Sequence, residues 1–138
     1  MDLFGKPKQK KQITSFQVVV LKTSGMRGMA EDELRMNGKK AELSHYRIGY
    51  AGEDTQRMLE KRAVCEEETV LKLLNDCDLL SWDGFDGPHP KYVQDGIMFT
   101  LNATVNENQK ISAKGSANFP KHYREFTDGL HAILNANN

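Results

Sequence analysis

Asp83, Asp86, His89 and Asp95 crowd into residues 83–95, and Asp76 and Asp78 lie just upstream. Carboxylates at this density could supply oxygen ligands to a hard cation, which takes about six to eight of them. A histidine in the same stretch adds a general acid or base. That is the set a small hydrolase or metal-dependent enzyme would draw on. The spacing is not that of a calcium-binding helix–loop–helix, however. Each of Asp83, Asp86 and Asp95 precedes a glycine, and Asp-Gly is first of all a turn former, because Asp bonds its own backbone and Gly supplies positive φ. The turn reading is the stronger of the two. His45, His122 and His131 are scattered, with no H-x-x-x-H or H-E-x-x-H spacing, and no G-x-S-x-G nucleophile turn occurs. No catalytic residue, metal ligand or cofactor is assigned from the sequence.

The same stretch carries Trp82, Phe85 and Tyr92. Aromatic anchors beside ordered polar groups are the material of interaction hot spots. The expected binding surface is therefore Trp82, Asp83, Phe85, Asp86, His89, Tyr92 and Asp95, and the expected function is a non-enzymatic binding or protein-interaction domain. The enzyme using the acidic 83–95 loop is the alternative. A purely structural role, with Trp82 closing the core and Phe85 packed beneath it, accounts for the two buried-type rings equally well.

Residues 79–99 must be a folded loop, since two of the four prolines and three Asp-Gly pairs forbid regular structure there. The elements around it have to position it. Residues 13–22 are rich in β-branched side chains and read as a central strand. The glycines of 23–29 could form an anion nest, but no Walker or dinucleotide spacing accompanies them, and a connection is the simpler reading. The polar residues 30–40, with Asn37-Gly38 as a turn signal, read as an excursion or a poorly paired hairpin. Residues 42–50 alternate, which places Tyr46, Ile48 and Tyr50 toward the core. Residues 55–64 return as an edge strand with charges along it. Cys65, Glu66, Glu67 and Glu68 open a helix whose stripe is Val70, Leu73 or Leu74, Cys77 and Leu80. Beyond the loop, Ile97, Phe99, Leu101, Ala103 and Val105 mark the cleanest strand, Ile111, Ala113, Gly115 and Ala117 its hairpin partner, and Pro120 opens a helix with Tyr123, Phe126, Leu130, Ile133 and Leu134 inward. The fold class is α+β: a mainly antiparallel sheet of about five strands, order βββαββα, with two helices packed on one face.

A chain of 138 residues supports one such domain, expected over 13–138, after a flexible basic tail over 1–12. Nineteen basic residues balance nineteen acidic ones, so no overall field draws the chain to nucleic acid, and the lysines of the tail lack interleaved aromatics. Nucleic acid is not an expected partner. The longest apolar run, residues 18–21, is too short for a membrane span, and no signal peptide is legible, which leads to the expectation of a cytoplasmic protein. Cys65 and Cys77 are read as free thiols, and a monomer or weak homodimer with a protein partner is expected.

The motifs Leu80-Ser81-Trp82-Asp83-Gly84-Phe85, Asp95-Gly96-Ile97-Met98-Phe99-Thr100-Leu101, Ile111-Ser112-Ala113-Lys114-Gly115 and Phe119-Pro120-Lys121-His122-Tyr123-Arg124-Glu125 follow one another in order. Over residues 65–135 the chain thereby resembles a family of uncharacterised small proteins and lipoprotein domains from anaerobic Gram-positive bacteria. The resemblance implies a shared fold and brings no known activity. The chain departs from the lipoprotein members in having no legible lipid-attachment cysteine.

Overall fold

The computed structural model describes residues 12–136. The tail reading over 1–12 lies almost entirely outside the described residues. Four strands run as an antiparallel meander: β1 (Phe16–Gly25), β2 (Gly28–Asn37), β3 (Lys40–Ala51) and β4 (Asp54–Glu66). Helix α1 (Glu67–Asp76) follows, then a 3-10 turn (Leu79–Trp82), the two-residue strand β5 (Asp86–Gly87), the hairpin β6 (Met98–Val105) and β7 (Gln109–Ser116), and helix α2 (Tyr123–Ala136). All seven strands join one sheet in the order β4-β3-β2-β1-β6-β7-β5. β1 is central because its run of Val and Leu is apolar on both faces, so it can accept β2 on one side and β6 on the other. β5 pairs with β7 in parallel, which makes the sheet mixed.

Both helices cover one face. Val19 and Leu21, Leu34, Leu43, Phe99, Leu101 and Ala103, with Val70 and Leu74 of α1 and Phe126, Leu130 and Leu134 of α2, form the buried core. Burying each of these large side chains contributes about 1.5–3 kcal/mol, and together they decide which way the sheet faces. Among the described residues no helix covers the other sheet face.

The α+β class, the two helices and the predominance of antiparallel pairing match the expectation. The sheet has seven strands rather than about five, in the order ββββαβββα, because the polar β2 and the two-residue β5 carry no apolar period. The first helix is shorter than expected: Cys65 and Glu66 still belong to β4, and Cys77 and Leu80 lie past its end at Asp76. Three further details differ. Residues 30–40 are not an excursion: most of them form β2, paired along its length with β1 and β3. Its core signal is faint because only Leu34 on its helix side is a large, fully buried apolar residue, while its acids are satisfied by His45 of the adjacent β3 and by Arg57, which reaches across β3 from β4. Tyr46, Ile48 and Tyr50 do not face the core. They lie on the open face, and it is Ala41 and Leu43 that point at the helices. Alternation gives a strand two faces without saying which is buried, and the polar His45 and Arg47 on the helix side disguise the true one. The last helix begins at Tyr123 rather than Pro120, after a turn in which the Tyr123 amide donates to the Pro120 carbonyl at 3.2 Å.

Candidate functional site

The segment between the 3-10 turn and β6 divides its predicted residues among separate tasks. Trp82 is 1% exposed. Its indole Nε1 donates to the Lys121 carbonyl at 3.0 Å, and its ring lies 5.9 Å from Tyr123 and 5.4 Å from Phe126. Phe85 packs on Phe99 at 6.2 Å. These two rings therefore build the core end beneath the loop. The Asp83 carboxylate accepts the Ser112 amide at 2.9 Å, tying the loop to β7. Asp86 projects from β5 beside Lys114. His89 has both ring nitrogens occupied, Nδ1 by the Ser116 hydroxyl at 2.8 Å and Nε2 by the Val93 carbonyl. Tyr92 is 100% exposed, and its backbone takes a left-handed φ of 70°. Asp95 lines a different cavity, of about 540 Å³, with Arg47, His45 and the β1–β2 turn.

Asp83, Asp86 and Asp95 thus stand at three places, and among the described residues no three His, Cys, Asp or Glu side chains are arranged to hold a metal ion. The convergence that the hydrolase or metal-enzyme alternative requires does not occur, and His89 acts as a brace for its loop rather than as a free base.

What the loop does build is one wall of a groove of about 800 Å³ on the open sheet face. Asp86, Pro88 and His89 form that wall, and Ile48, Thr55 and Arg57 from β3 and β4 form the other. Residues this far apart in the strand order share a groove because the twisted sheet curls. Strand register lays out the floor. Ile48 pairs with Met29, Met29 with Ser24, Ser24 with Met98 and Met98 with Ser116, which gives one largely apolar row across five strands. The next row runs Tyr46, Glu31, Lys22, Thr100, Lys114, Asp86.

In that second row the Glu31 side chain is only 8% exposed and is held by Arg57, Nη1 to Oε2 2.6 Å, with Lys22 Nζ 3.8 Å away. The Arg57 guanidinium also lies 4.2 Å from the centre of the Tyr46 ring. Its hydrogen bond to Glu31 raises its pKa further above the ordinary value, so it stays charged. Lys114, in contrast, makes no ion pair among the described residues.

Sequence reading missed a second polar centre, on the helix face. Asp32 of β2 and His45 of β3 sit opposite one another, Oδ1 to Nδ1 2.6 Å, with Glu60 3.7 Å from His45 Nε2 and the His131 ring of α2 at 6.2 Å. Tyr123 lies close enough to Asp32 for that charge to add to the effect of burial in lifting its phenol to about 12. The signal available in the sequence was the alternation of Ala30, Asp32, Leu34 and Met36 with Glu31, Glu33 and Arg35, which is a strand period written largely in polar letters.

No protein-family model and no curated protein matches the chain. Among the described residues no helix is long and apolar enough to cross a membrane.

Proposed function

We propose that this chain is a non-enzymatic binding domain that receives its ligand in the groove on the open face of the sheet. The observation that carries the reading is the groove itself. At about 800 Å³ it falls within the range of ligand sites, roughly 300–1,000 Å³, and it combines an apolar row with a few charged groups, as such sites do. Met98, 56% exposed, and Ile48 lie along this face without a helix over them, although both helices had the whole sheet to cover. Of the residues expected to bind, Asp86 and His89 would contact the ligand, and Trp82, Asp83 and Phe85 would hold their loop in place. The motif resemblance stands beside this reading as a proposal about ancestry and adds no activity to it. Residence in a reducing cytoplasm is part of the proposal, supported by two free thiols.

The test is a thermal-shift screen of organic acids, amines, alcohols and short peptides on the native protein and on Ser24→Phe. Ser24 lies between Met29 and Met98 in the floor, so the larger ring fills the groove without adding charge. A ligand at a hundred times its Kd contributes about 2.7 kcal/mol of stability. The reading predicts ligands that raise the Tm of the native protein by several degrees and leave Ser24→Phe unmoved. Ligands that raise both equally would place the site elsewhere.

A further inference from the structure

The geometry points to an aliphatic monocarboxylate as the ligand of the groove, its carboxylate held over Thr100 between Lys22 and Lys114 and its chain laid along Met29, Ile48 and Met98. This inference rests on the binding-domain reading above and names the ligand class.

The head-group position follows from register. Lys22 of β1 pairs with Thr100 of β6, and Thr100 pairs with Lys114 of β7. Residues directly opposite across antiparallel strands share a face, so all three side chains rise from the open face side by side. Adjacent strands are about 4.8 Å apart, which sets the two lysine stems about 10 Å apart with the threonine hydroxyl midway. Both flexible stems can bend their ammonium groups to one anion above that hydroxyl. Among the described residues Lys114 makes no ion pair, with Asp86 beside it in the row included, and Lys22, whose side chain is 63% exposed, has only the 3.8 Å contact to Glu31, a carboxylate already held by Arg57. Neither lysine has to break a strong ion pair to bind.

The charge count sets the ligand's valence. Lys22, Arg57 and Lys114 line the groove against Glu31 and Asp86; Glu33, which also reaches Arg57 at 3.5 Å, is paired at 3.2 Å by Arg35 outside the lining, so one positive charge is left over. A monoanion neutralises it, and a dianion overshoots. The body of the ligand follows from the neighbouring row. Ile48, Met29 and Met98 are aliphatic or thioether side chains, and the one aromatic residue of the lining, Phe99, is 2% exposed and turned to the helix side. Flexible methionines suit a flexible chain better than a flat ring.

The experiment is calorimetric titration of the full chain with dodecanoate below its micellar concentration at low salt, followed in parallel by the methionine methyl resonances. One dodecanoate per chain should bind and move the Met29 and Met98 methyls. Dodecyltrimethylammonium, with the same chain and the opposite head group, should bind at least 10-fold more weakly, and dodecyl phosphate no more tightly than dodecanoate. Lys22→Gln and Lys114→Gln should each raise the Kd at least 10-fold. Lys110→Gln, whose ammonium bonds Thr104 at 2.8 Å on the same face, should leave it unchanged. Equal binding of the two head groups, or lysine variants that bind as the native protein does, would overturn the carboxylate assignment. If the Met29 and Met98 methyls still move with a neutral dodecyl alcohol in that case, the groove remains the site and only the ligand class falls. If no amphiphile moves them, the binding-domain reading falls as well.

Discussion

Asp32 and His45 meet across β2 and β3 at 2.6 Å on the side of the sheet that the helices cover, with side chains 11% and 22% exposed. A carboxylate so placed is costly unless it is paired, and the imidazole Nδ1–H supplies the pair. Breaking the pair from one side leaves the other group buried and unsatisfied.

His45→Ala should therefore destabilise the protein by about 2–3 kcal/mol in urea unfolding, because it strands the Asp32 carboxylate. The double variant Asp32→Leu with His45→Leu should recover most of that loss, since a matched apolar pair leaves nothing unsatisfied. Equal, additive losses from the two positions would show that the pair is not coupled.

Stability should fall as the solution turns alkaline. Burial, with the negative Glu125 and Asp76 adding to it, lifts the Cys77 thiol to about 11, and burial followed by the Asp32 charge lifts the Tyr123 phenol to about 12. Both are acids whose folded pKa lies above the unfolded one, so the folded state holds its protons longer. Their contribution is complete below about pH 8.5 and is lost as the pH rises through that window toward 12. Urea midpoints measured from pH 8 to 11 should decline, and Tyr123→Phe should flatten the upper part of the decline. A flat profile would contradict both placements.

Much of this was legible in the sequence, and the misses share a cause. The strand from Phe99 to Val105, the stripe of the last helix and the first half of the stripe of α1 were readable because apolar letters repeat at the period of the element, whereas Cys77 and Leu80 continue that period past the end of α1 into the 3-10 turn. β2 was not, because Glu31, Asp32 and Glu33 carry their strand period in charge, and their partners Arg57 and His45 lie on strands whose pairing only the fold reveals. The loop of 79–99 was rightly singled out as an ordered segment, and the structural role offered for Trp82, closing the core, is the one it has, yet composition could not say that Asp86 and His89 point to the groove. The groove itself has no local signature, since its two walls come from residues about thirty to forty positions apart in sequence and from opposite ends of the sheet.

Trp82→Ala should cost about 3–5 kcal/mol, the usual range for emptying a buried aromatic site. Trp82→Phe, which keeps packing on Tyr123 and Phe126 but loses the bond to Lys121, should cost less and leave ligand binding intact. A native tryptophan emission maximum at the wavelength of exposed indole would contradict the burial.

Gly115 is fixed by space rather than by backbone angle. A Cβ there would come 2.1 Å from the Asn118 carbonyl oxygen and 2.7 Å from the Phe99 ring. Gly115→Ala should destabilise by about 1–3 kcal/mol through that overpacking, and it should weaken binding by displacing the neighbouring Lys114 and Ser116. An alanine variant as stable as the native protein would show that the 116–119 turn yields freely.

The most direct test of the binding face is the methyl spectrum of methionine-labelled protein titrated with matched aliphatic acids, amines and alcohols. Met29 and Met98 line the groove, whereas Met36 packs against the core and Met58 lies on the helix-facing side of β4. The account predicts saturable shifts at Met29 and Met98 with Met36 and Met58 unmoved. Saturable shifts confined to Met36 and Met58, or none at Met29 and Met98 across the whole panel, would contradict it.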